Sequence, residues 1–127
     1  MKIVTLIARL LLGLGFVVFG LNGFLNFMTG PLPAGLAGEF ARVLAESHFF
    51  WVVAAIQILG GALLLVNRFV PLGLVLLAPV IFNILAYHAL LDPAGIVPGI
   101  VVTILWFIIF SSRRQYFSGI FVPRTSD

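Results

Sequence analysis

The sequence predicts an all-α membrane protein: a four-transmembrane-helix antiparallel bundle with a short amphipathic helix between the first and second spans. Two observations carry this expectation. Of 127 residues, 62% are hydrophobic and 9% charged, whereas an ordinary soluble domain has about 45–50% apolar and about 25% charged residues. A soluble globule needs a charged coat, and seven Lys and Arg with four Asp and Glu are too few to make one. The apolar residues also form long runs, as at 101–110, rather than the alternating pattern of a transmembrane β-strand. A hydrocarbon core of about 30 Å takes about 20 residues per crossing, so the chain has room for four spans in one domain. A soluble enzyme, a nucleic-acid-binding module and a disordered chain are excluded.

The first span is read at about residues 3–28, with Lys2 before it and Arg9 its one charged residue. Its apolar stretch exceeds the about 7–15-residue core of a secretory signal peptide, so it is taken as mature structure. Two prolines and two glycines at 29–35 end it. Residues 36–47 place Leu36, Phe40, Val43 and Leu44 on one helical face beside Glu39, Arg42 and Glu46. That pattern predicts an amphipathic helix at the membrane surface or over the bundle. The second span is read at 48–66 and the third at 71–91, joined through Asn67-Arg68-Phe69-Val70. Asp92 is read as an N-cap with Pro93 at the first helical position, and the fourth span runs over 93–112. Arg113-Arg114 stops it. The polar tail at 113–127 lies outside the bilayer, with Tyr116, Phe117, Ile120 and Phe121 available to rest on the interface.

Four antiparallel spans place Lys2, Arg9, Arg68, Arg113, Arg114 and Arg124 on one side and Arg42 alone on the other. The positive-inside rule then puts both termini in the cytoplasm, in a bacterial or archaeal inner (plasma) membrane. Arg9 lies one or two turns into its span. By default its side chain snorkels to the inner headgroups; a buried contact with a polar group, an anionic lipid or a partner is the alternative. Gly13 with Gly20, and Ala54 with Gly61, are small-residue pairs at sevenfold spacing that let helices approach closely.

Polar side chains in a bilayer tend to face the bundle interior. Gln57 and Asn83 lie about 13 Å and about 12 Å from the outer ends of their spans, so the two amides are level. Asn22, Asn26, Tyr87, His88 and His48 lie nearer the outer mouth. Asn22, Gln57, Asn83 and His88 are therefore the candidate lining of an outward-opening polar pocket between spans, and interhelical hydrogen-bond glue is the competing account. His88 also suits a headgroup-level position, and His48 belongs with Phe49, Phe50 and Trp51 in an aromatic belt. No metal-ligand spacing and no nucleophile with base and orienter stands out. With no cysteine, disulfides and thiolate sites are excluded.

Taken in order, several segments resemble the DoxX-like family of small four-span membrane proteins. They are Ala8-Arg9, the stretch from Val18 to Phe24 containing Gly20-Leu21-Asn22-Gly23, and Gln57-Ile58-Leu59-Gly60-Gly61-Ala62-Leu63-Leu64. Arg68-Phe69-Val70-Pro71-Leu72, Leu77-Ala78-Pro79-Val80 through Asn83 to His88, and Asp92-Pro93 follow. The likeness covers about residues 7–117. The family takes its name from a small subunit of an archaeal thiosulfate:quinone oxidoreductase, so the resemblance implies a link to the quinone pool; other members look like accessory or chaperone-like membrane proteins. Gln57 stands where the family is expected to carry a glutamate. An amide cannot change charge, so the resemblance implies hydrogen bonding there rather than proton relay.

No flavin, haem or iron–sulfur signature is present, so a redox role would need a partner subunit or a diffusible quinone to carry electrons. The leading expectation is a non-catalytic membrane subunit, scaffold or accessory component, in contact with membrane lipids and assembled as a homo-oligomer or with a redox partner subunit. A quinone- or lipid-binding accessory subunit of a membrane oxidoreductase is the first alternative. A small transporter or channel, working as an oligomer, is the second.

Overall fold

A computed structural model describes residues 2–126. These are helical, with no strand among them: α1 (Lys2–Leu25), α2 (Gly35–Glu46), α3 (Phe50–Val66), α4 (Val70–Leu90) and α5 (Ile96–Arg113). A 3-10 turn, Pro93–Gly95, precedes α5, and a 3-10 helix, Arg114–Phe121, follows it. Three stretches are long and apolar enough to cross a membrane: α1, α4, and Pro93–Phe121 containing α5. The bent pair α2 and α3 meets the same test only when taken together, across an angle of 82°.

Four helices pack as a ring in which α1 and α4 each lie against both α3 and α5. The α1–α3 seam is the tightest, because small residues oppose each other along it. A Cβ added to Gly61 would stand 2.7 Å from the Gly13 carbonyl oxygen, and one added to Gly20 would stand 2.9 Å from the Ala54 carbonyl oxygen. The two sequence pairs thus meet in one antiparallel register. Gly60 faces the other way, where an added Cβ would meet the Leu77 side chain at 2.8 Å. The Gly60-Gly61 pair therefore lets α3 approach α1 on one side and α4 on the other. Leu12, Leu64, Leu74, Leu77 and Ile109 fill the centre and are fully buried. The inward face of α1 follows helical spacing through Ala8, Leu12, Phe16 and Gly20, while Ile3, Leu10, Leu14 and Phe19 face out.

Several expected boundaries shift for local reasons. The first helix ends at Leu25 rather than near 28, because Asn26 turns left-handed (φ 52°) and the Asn22 side chain accepts the Met28 N–H at 2.7 Å. His48, expected to open the second span, is also left-handed (φ 63°), so α3 begins at Phe50. The α3–α4 connection turns through Asn67 and Phe69, both left-handed; Asn tolerates that conformation as a helix C-cap. Asp92 stands at the N-cap of the 3-10 turn, with Pro93 first in it, but makes no side-chain cap hydrogen bond; its carbonyl accepts the Gly95 N–H at 3.1 Å. The expected tail is partly structural. Phe117 folds back into the core beside Phe110, with ring centroids 4.9 Å apart. Residue 127, the last of that tail, lies outside the described residues.

The amphipathic helix forms as α2, with most of its apolar face exposed, as the surface alternative has it. Ala37 and Gly38 are buried, while Leu36, Phe40 and Val43 are exposed. Gly38 is covered by the loop before α2, where an added Cβ would meet the Pro33 carbonyl, and the Phe40 ring lies 5.6 Å from that of Tyr87. Tyr87 pins α2 by donating its hydroxyl to the Ala37 carbonyl at 3.1 Å.

Gly61→Ala should lower the unfolding midpoint in detergent, since overpacking a tight contact costs about 1–3 kcal/mol. Gly15→Ala, whose added methyl meets nothing within 4 Å, should hold or raise it. Equal midpoints for the two variants would refute the close seam.

Candidate functional site

At one end of the bundle, Arg9 enters the seam between α1 and the end of α3. It is 9% exposed. Its Nη1 donates to the Leu64 carbonyl and, at 3.2 Å, to the Leu65 carbonyl. The last carbonyls of a helix have no intrahelical donor and carry the negative end of its macrodipole. A guanidinium satisfies both needs at once. Arg9 thus makes a buried contact of the kind that stood as the alternative, with the α3 carbonyls as its polar partners. The α1–α3 register holds it level with the Leu64 carbonyl, which it shares with the Asn67 N–H, and with the Leu65 carbonyl.

The four candidate pocket residues are not brought onto one cavity. Gln57 is 5% exposed, and its Oε1 is sealed from solvent without a hydrogen-bond partner among the described residues. Its Cβ lies beside Gly20, in the α1–α3 seam. Asn83 is exposed on α4 and donates from Nδ2 to the Pro79 carbonyl at 2.8 Å. His88 is half-buried at the end of α4. Its Nδ1 lies 3.1 Å from the Asp92 carbonyl oxygen, a hydrogen bond in the tautomer that protonates Nδ1. The His88 ring also packs on Gly95, where an added Cβ would stand 2.8 Å from Cε1. His88 thus ties the α4 end to the following turn.

Only Asn22 lines the recess that opens at this second end. That recess, about 440 Å³, lies between the α1 end, α2 and the start of α3, with Asn26, Leu44, Glu46, His48 and Trp51 among its walls. It pairs two amides with one imidazole, as expected of the polar mouth, but the imidazole is His48. The His48 and Trp51 ring centroids are 4.4 Å apart. Glu46 is engaged by Arg42 at 3.0 Å in an exposed i,i+4 pair, an arrangement of small energetic value. Sequence depth placed His48 at the mouth correctly. Its left-handed backbone, which swings it between α2 and α3, had no signal beyond the charged-to-aromatic transition.

Other polar groups on the apolar helices bond to backbone. Thr103 donates to Gly99 O at 2.7 Å, Ser111 to Phe107 O at 2.9 Å and Ser112 to Ile109 O at 2.7 Å. The Trp106 indole donates to Leu74 O at 2.9 Å, joining α5 to α4 one turn before Pro79. Among the described residues, no three of His, Asp and Glu lie close enough to hold a metal ion. Compared with family models, curated proteins and solved structures, the chain matches none.

Gln57→Leu tests the buried amide. An unpaired buried polar group costs about 1–3 kcal/mol, so the leucine variant should unfold at the same temperature or higher. A clear fall in midpoint would mean that the amide has a bonding partner in the folded protein.

Proposed function

We propose that the chain is a DoxX-like, four-span membrane protein that acts as a non-catalytic subunit, scaffold or accessory component. In this reading α3 spans the membrane as the second of four spans, α2 lies along the interface, and both termini face the cytoplasm of a bacterial or archaeal inner membrane. One observation carries the functional part. Arg9, Asn83, Thr103, Trp106, Ser111 and Ser112 all direct their side-chain donors to backbone carbonyls. Arg9 and Trp106 join neighbouring helices in this way, and Asn83, Thr103, Ser111 and Ser112 bond back to their own helix; both uses leave few donors to position a reacting group. The broad exposed apolar surface, including Leu59, Phe82, Ile104 and Phe107, suits lipid contact and assembly with another membrane subunit or a second copy.

The orientation is directly testable because the chain contains no cysteine. Single variants Ser118→Cys and Gly30→Cys should label from opposite faces of sealed vesicles with an impermeant thiol reagent, Ser118→Cys from the cytoplasmic face. Labelling of both from one face would overturn the four-span arrangement.

The alternative, a quinone-binding accessory subunit, is favoured by the unpaired Gln57 Oε1, an acceptor that a quinol hydroxyl could satisfy. Native mass spectrometry of protein gently extracted from its own membranes separates the two. A homo-oligomer or a complex with other subunits, free of stoichiometric quinone, is the expected result. A quinone retained at one per chain, and lost in Gln57→Leu, would replace the scaffold reading with the quinone one.

A further inference from the structure

We infer that the Arg9 end of the bundle carries a binding site for the phosphate headgroup of an anionic lipid. The inference rests on bilayer residence. A recess of about 410 Å³ opens there, walled by Lys2, Thr5, Arg9, Asn67, Ser112 and Arg113. It brings three cationic side chains together, and their geometry is built. Arg113 donates from Nη2 to Asn67 Oδ1 and from Nη1 to Ser112 Oγ, both at 3.1 Å. Arg9 is held from below by the α3 carbonyls, which occupy Nη1 and leave Nε and Nη2 as further donors.

The charge balance asks for an anion. A helix C-terminus supplies the equivalent of about half a negative charge, against three positive ones. Glu39, Glu46 and Asp92 belong to α2 and the α4–α5 connection, at the opposite end of the bundle; residue 127 lies outside the described residues. No described carboxylate pairs with Lys2, Arg9 or Arg113. A cation that is nine-tenths buried and lacks a counter-charge is costly, and a phosphate in the recess would supply one within reach of guanidinium forks suited to it.

The surroundings choose a lipid over free phosphate. Leu6 also borders the recess, and Ile3, Leu6, Leu10 and Leu14 form an exposed apolar stripe running from its mouth along α1. A headgroup seated between the cations would lay its acyl chains on that stripe. Basic pockets between membrane helices are a known form of headgroup recognition.

The test uses the whole protein reconstituted in phosphatidylcholine vesicles, then titrated in detergent with phosphatidylglycerol or phosphatidylcholine, and followed by native mass spectrometry and unfolding midpoint. The wild type should bind one phosphatidylglycerol about 10-fold or more tightly than phosphatidylcholine, with a raised midpoint. Lys2→Gln with Arg113→Gln should lose that preference, and Arg42→Gln, at the other end, should keep it. Lys2→Gln alone changes an exposed side chain, so it carries the test if the double variant fails to fold; a reduced preference is expected there too. An unchanged preference in the Lys2 and Arg113 variants would overturn the site. Equal stabilisation by inorganic phosphate would overturn the lipid assignment. Insertion without any headgroup preference would sink this inference alone, whereas failure to insert would overturn bilayer residence as well.

Discussion

Gly13, Gly20, Ala54 and Gly61 bring the backbones of α1 and α3 together, and the placement of most other groups follows from that approach. Lipid tails are as apolar as leucine, so burial of apolar surface gives helices in a bilayer little reason to associate. Dispersion between closely packed atoms must serve instead, and it falls off over fractions of an ångström. Small residues on both helices remove the side chains that would hold the backbones apart. Once that register is set, Arg9 is level with the last carbonyls of α3, and Gly60 presents the opposite side of α3 to α4.

The same register separates charge along the molecule. The α3 terminus, the 67–69 turn and the α5 terminus gather Arg9, Arg68, Arg113 and Arg114, with Lys2 at the start of α1. The acidic residues Glu39, Glu46 and Asp92 lie with α2 and the α4–α5 connection. Arg9 is the link between this polarity and the core. Its head binds the Leu64 and Leu65 carbonyls, at the negative end of the α3 dipole.

Much of this was legible in the sequence because bilayer-compatible helices are specified by composition over long windows. The apolar runs marked the helices and the sevenfold glycine and alanine pairs marked faces of close approach, though not that the two pairs face each other; the basic residues marked the asymmetry of the two ends. The polar site was less legible. Depth along a helix follows from residue number, but rotation about its axis does not; Gln57 and Asn83 are level, yet one is sealed in the α1–α3 seam and the other is exposed on α4. The left-handed residues Asn26 and His48 were also hidden. Each displaces a helix end by two or three residues, and the recess beside them is lined by His48, while His88 is tied to Asp92 on the α4 side. For α2, periodicity found the apolar face but not what covers Gly38, which is the carbonyl of Pro33 in the preceding loop.

The unequal lengths of α1 and α3 have a mechanical consequence for a surrounding bilayer. At 1.5 Å per residue, the 24 residues of α1 reach about 36 Å and the 17 residues of α3 about 25 Å. The first exceeds a hydrocarbon thickness of about 30 Å and the second falls short of it. Such mismatch is relieved by tilt or by thinning of the adjacent leaflet, at fractions of a kcal/mol per Å. The 82° bend lays α2 sideways at the short end of α3, with Leu36, Phe40 and Val43 outward. In the proposed four-span arrangement those side chains would lie against the thinned leaflet, and the protein would favour bilayers that are thin on that side.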